Sequence, residues 1–189
     1  IKSKRKTMKN IIKKGVLSVF IGLFIVGCGG SSNQPNTPNL PITKQFQLEN
    51  IFFDFYESRK ADEIVYHTPQ ELKDLFDTKI KILLQERNLL SNDPSMNKLK
   101  ISTWYSRRFV GDETPWPSDS LRPPTLHYKL EVVDETGKVL RSVDSGILTF
   151  NGGMAFNLKI IAASLRDKQQ EVEFIESFAK TIVDKIEKL

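Results

Sequence analysis

The chain has 189 residues, a length suited to one domain with extensions, and its 28 basic against 23 acidic side chains give a net charge of +5. The charge is uneven: residues 1–27 hold seven of the cations and no acid, leaving 21 basic against 23 acidic groups in the remainder. Without that leader the chain lacks the basic footprint needed to hold phosphates, so no nucleic-acid partner is expected. One Cys and two His also exclude a disulfide framework and speak against a Cys/His zinc centre.

Lys9, Lys13 and Lys14 precede the run VLSVFIGLFIV at 16–26, in which only Ser18 and Gly22 are not large apolar residues. Eleven residues rise about 17 Å as a helix, against a hydrocarbon core of about 30 Å. A charged segment followed by a short apolar one therefore predicts a removable signal over 1–27 rather than a membrane span. Met8 is the natural initiator, which makes 1–7 an upstream extension.

The run ends in Ile25-Val26-Gly27-Cys28, and the sole Cys follows a small residue. Here the chain resembles a bacterial lipoprotein signal, and the resemblance implies cleavage before Cys28 and lipidation of Cys28. A thiolate is the strongly nucleophilic side chain that can take a diacylglyceryl group as a thioether. A secretory signal with an incidental Cys is the alternative. No Asp stands at Gly29 or Gly30, which by the same resemblance favours the outer membrane's periplasmic face.

Residues 29–44 (GGSSNQPNTPNLPITK) carry three Pro, three Asn and one charge, too little apolar surface to offset the entropy of ordering. With Cys28 they read as a lipid-bearing tether, and as a free coil sixteen residues span roughly 20 to 24 Å. Residues 45–189 are expected to form one periplasmic domain.

Within it, FQLENIFFDFY at 46–56 predicts a strand with a bulge near Asn50. Thr68-Pro69-Gln70-Glu71 is a capping box with proline in the first turn, so a helix starts there, with Leu72, Leu75, Phe76, Ile80 and Leu83 on one stripe. Alternation predicts strands over 98–110, with Leu99, Ile101, Thr103, Tyr105 and Phe109 on one face, and around Leu126 to Val132. Asp134-Glu135-Thr136-Gly137 turns into a strand over 138–150. Met154, Phe156, Leu158 and Ile160 alternate with smaller or polar residues and favour a further strand over a helix. Val172, Ile175, Phe178, Ala179, Ile182, Val183, Ile186 and Leu189 trace a closing amphipathic helix. The expectation is an α+β two-layer domain, order β-α-β-β-β-β-α, with both helices on one face of a mostly antiparallel sheet.

A first strand feeding a capped helix, the hairpin VVDETGKVLRS and the closing helix FAKTIVDKI together resemble small periplasmic α+β modules, those of the LpoB penicillin-binding-protein activator and the TolB amino-terminal domain. The resemblance covers residues 45–189 in element order alone and carries over no functional residue.

His67 and His127 lack any accompanying nucleophile-elbow, HExxH or phosphate-loop motif, and Asp54, Glu57, Asp62 and Glu63 read as a solvated turn. No enzyme activity and no cofactor are therefore expected. The unusual stretch is RRFVGDETPWPSDSLRPP at 107–124, in which four Pro stiffen a loop presenting Trp116. Trp116 with Arg107, Arg108 and Arg122 is the candidate partner-binding set, and the other possibility is Trp116 folded onto the sheet as a lid. The balanced charge of the stretch argues against a phosphate clamp. The expected role is a lipid-anchored adaptor or activator for another envelope protein; a carrier of lipid or lipopolysaccharide, needing an apolar cavity between sheet and helices, is the alternative.

Overall fold

The computed structural model describes residues 42–189; Cys28, the leader and most of the tether lie outside the described residues. Four strands form one sheet in the order β1 (Gln47–Glu57), β2 (Lys98–Phe109), β3 (Leu121–Val133) and β4 (Val139–Thr149). β1 runs parallel to β2, and the other two pairings are antiparallel. The parallel pairing requires a crossover, which α1 (Pro69–Glu86) provides. The fold is α+β, with an open, mixed sheet.

Local chemistry sets the boundaries. The Thr68 hydroxyl accepts from Glu71 N, and Glu71 returns a carboxylate to Thr68 N at 2.6 Å, so the capping box starts α1 as written. Asn88 adopts φ 53° just past the helix, where a left-handed residue lets the chain turn out. Glu49 is an extra residue between Leu48↔Leu99 and Asn50↔Lys100, placing the bulge beside its expected position. Pro123 and Pro124 oppose Arg107 at a second irregularity, as expected where two residues lack the N–H a ladder needs.

α1 and α3 (Gln169–Ile186) pack against each other and cover one sheet face, α1 on β1 and α3 on β3. Leu72, Phe76, Ile80 and Leu84 of α1 meet Leu99, Ile101, Tyr105, Leu126 and Leu130 of the sheet and Phe178, Ile182 and Val183 of α3. Ile42 packs on this core and Thr43 N donates to Asn97 Oδ1 at 2.9 Å, just upstream of Gln45 where composition placed the domain's start.

One expected element is different. The segment expected as a fifth strand is α2 (Gly153–Ile161). As a helix it sends Phe156 inward, with Ile160 beside it, into a second cluster of Tyr66, Phe109, Leu121, Leu165 and Phe174. The sheet therefore stops at four strands, and the order is β-α-β-β-β-α-α.

Candidate interaction surface

Alternation along β2 turns Arg107 to the helix-covered face with Thr103, Tyr105 and Phe109. Its Nε donates to Glu171 Oε1 at 2.7 Å, one terminal nitrogen donates to Glu57 Oε2 at 2.8 Å, and the other donates to the His67 carbonyl. Glu171 Oε2 accepts from His67 N at 2.9 Å and lies 3.0 Å from its Nδ1. The guanidinium also rests 4.8 Å above the Phe55 ring. Every charge in this knot has a partner, which is the condition for placing ions inside a protein. Arg107 is thus committed to tying β1, the β1–α1 loop and α3 together, which corrects its assignment to the partner-binding set. Burial beside Glu171 pushes the Tyr105 phenol well above its ordinary pKa.

The proline-rich stretch is a tied hairpin rather than a long free loop. β2 extends to Phe109 and β3 begins at Leu121, and Val110 N donates to Ser120 O while Ser118 N donates to Val110 O, both at 2.8 Å. Two acids fasten its legs to the β1–α1 loop. Asp112 accepts from Phe109 N at 2.8 Å and from the Ser58 hydroxyl. Asp119 accepts from Glu63 N at 2.7 Å, from Asp62 N at 2.9 Å and from Arg59 at 2.9 Å. The backbone N–H of Glu63, then that of Asp62 and the Arg59 guanidinium, hold the Asp119 carboxyl down at about 2. The Tyr66 hydroxyl donates to Asp119 O at 2.6 Å, and burial above all pushes its pKa up to about 12. At the tip Trp116 is 84% exposed, so it is not a lid.

Arg108 and Arg122 stand directly opposite each other across β2 and β3, and both face Glu113 of the hairpin, at 3.4 and 3.7 Å. The acid bridges two like charges whose pairing would otherwise be unfavourable. On the same outward face of β2 as Arg108, Trp104 stacks on His127 at 4.9 Å and meets Phe52 edge-on at 6.1 Å. Asp144 holds the His127 ring at 2.7 Å. The helix-free face of the sheet thus carries a row of partly exposed aromatic rings, with the Arg pair beyond it and the Trp116 hairpin at that end. Sequence reading named Arg108, Arg122 and Trp116 and missed Phe52 and Trp104, although the β2 alternation had already placed Trp104 outward.

The carboxylates at 54–63 do not converge. Asp54 lies exposed on the outer face, Glu57 meets Arg107, Asp62 and Glu63 offer backbone N–H groups to Asp119, and Glu63 pairs with Arg166. Among the described residues no group of His, Cys, Asp and Glu is arranged to hold a metal ion, and no helix is long and apolar enough to cross a membrane.

No protein-family model matches the chain, and a search of curated proteins finds no significant match. Among solved structures it is similar to a minor lipoprotein from Acinetobacter baumannii, at TM-score 0.38 and 16% identity over 78% of this chain and 93% of that one. A Xanthomonas campestris protein of the DUF330 family model gives 0.32 and 12% over 78% and 91%, respectively. Rare lipoprotein B from Shewanella oneidensis gives 0.23 and 14% over 71% and 98%. At such scores and identities, what this chain does has to be read from its own residues.

Proposed function

We propose that the chain is a lipid-anchored lipoprotein of the bacterial envelope, held through Cys28 at the periplasmic face of the outer membrane, and that its domain is a non-enzymatic adaptor or activator binding another envelope protein. The anchoring part rests on the charged leader, the apolar run 16–26 and Gly27-Cys28. The binding part rests chiefly on one observation: Trp116 is held out to solvent by a hairpin whose own legs are tied down at Asp112 and Asp119. A rigidly presented Trp gives large contact area at small entropic cost, as central residues of protein interfaces do. A lipid carrier finds less support, because the described space between sheet and helices is filled by side chains such as Leu72, Ile80, Leu99 and Ile182, each with no exposed surface.

Intact-mass measurement on the membrane-extracted protein tests the anchor. It should show an acylated Cys28 at the amino terminus, and a soluble product beginning elsewhere would refute the reading. Affinity capture from native envelopes tests the binding role. The expected result is one envelope protein recovered in stoichiometric amount with wild type and lost with Trp116→Ala.

A further inference from the structure

A second exposed surface lies on α2, which packs on the cluster of Phe109, Leu121 and Leu165 at the base of the hairpin. From 145 to 166 the chain contains no acidic residue, and its cations are Lys159 and Arg166. Arg166 pairs with Glu63 at 2.9 Å, while Lys159 is exposed and has no ion-pair partner among the described residues. The centre of this segment is α2, which is anchored from below: Phe156 lies 5.0 Å from Phe150 and 5.7 Å from Phe174, ring to ring. Its outer side is apolar. Met154, Leu158 and Ile161, at i, i+4 and i+7, form one stripe and are 82%, 61% and 82% exposed. Three large apolar side chains left in water along one helical stripe mark a contact surface.

We infer that α2 docks in the interface of a bilayer containing anionic phospholipid, with Met154, Leu158 and Ile161 entering the acyl boundary and Lys159 meeting the headgroups. Charge decides between occupants. A second copy set on the same stripe would bring Lys159 toward Lys159 with no acid in the 22 residues of 145–166 to answer either, whereas an anionic headgroup answers it. An apolar stripe flanked by an unpaired Lys matches the pattern of a helix lying in the plane of a membrane surface. The docked face then orients the domain, which attachment through one lipid-bearing residue would not do. The inference does not depend on lipidation of Cys28, and the test keeps the two apart.

The full chain carrying Cys28→Ser is reconstituted with vesicles, and an introduced Cys is its sole thiol. Met154→Cys is labelled with an environment-sensitive fluorophore on vesicles containing brominated phosphatidylglycerol, with Thr136→Cys as the reference. Thr136 lies in the β3–β4 turn, at the opposite end of β4 from α2. The expected result is quenching about threefold stronger at 154 than at 136, reduced to the reference level by the pair Leu158→Asp and Ile161→Asp and weakened by Lys159→Glu. Equal quenching at both sites would overturn the inference. Equal quenching in vesicles whose brominated lipid is zwitterionic would remove its anionic part. An apolar emission at 154 that brominated lipid leaves unquenched would show the face covered by protein, a second copy included, and would likewise overturn it.

Discussion

Arg107 and Glu171 meet at 2.7 Å inside the protein although 64 residues separate them, one on the second strand and the other in the first turn of the last helix. Neither is more than 5% exposed. The pair joins the two layers at the point where the main core gives way to the smaller one.

Removing one partner leaves an uncompensated buried charge, so Arg107→Leu or Glu171→Leu alone is expected to cost about 3 to 5 kcal/mol of stability. The double variant Arg107→Leu with Glu171→Leu should recover a large part of that loss. Urea unfolding of all four proteins measures the coupling, and additive losses would show that the ion pair is not what holds the layers together.

Asp119 gives an acid limb. Its carboxyl titrates lower in the fold, at about 2, than the ordinary 3.8, so its stabilising contribution is complete above the ordinary value and is lost as pH falls toward the folded one. Melting temperature should therefore drop between about pH 4 and 2. Asp119→Asn should start lower at neutral pH and fall less steeply across that window; parallel curves for variant and wild type would assign the acid limb elsewhere.

Thr68→Ala removes the acceptor of the capping box while leaving Pro69 in place. The expected loss is about 1 kcal/mol, or a few degrees in melting temperature, with cooperativity unchanged. Calorimetry checks it, and an unshifted midpoint would mean that packing alone sets the start of α1.

Trp116→Ala should leave the melting temperature nearly unchanged, since exposed substitutions stay within about 0.5 kcal/mol. Capture of the partner should weaken by about thirtyfold or more, as for a central interface Trp. Gly111→Ala should act on the same readout without touching the indole. Gly111 sits at φ +81°, and an added Cβ would stand 2.8 Å from Trp116 O, so the tip must shift. Undiminished capture by both variants would take the hairpin out of the interface.

Where one local rule acted alone, the sequence was a sufficient guide. The capping box at 68–71 starts α1, and the strict alternation from Leu99 to Tyr105 is β2. The stretch at 153–161 is apolar on nearly every side, so it satisfies a period of two through Met154, Phe156, Leu158 and Ile160 as well as a helical period. Tertiary packing decides: a helix delivers Phe156 to Phe150 and Phe174. Arg107 shows a different limit. Alternation already put it on the inner face, but the acids that make that position tolerable come from Glu57 and Glu171, at distant points of the chain. The exposure of Trp116 was equally invisible, because it follows from Asp112 and Asp119 fastening the hairpin to a loop more than fifty residues upstream.

The parallel seam between β1 and β2 also constrains the order of assembly. Gln47 pairs with Lys98, 51 positions later, and the whole of α1 lies in the connection that the seam closes. The antiparallel pairings of β2, β3 and β4 join neighbours in sequence and cost less loop entropy to form. Of these four strands, the first to be synthesised is thus expected to be the last to acquire its hydrogen bonds. Pulse-labelling hydrogen exchange would then show the β1 amides protected after those of β3.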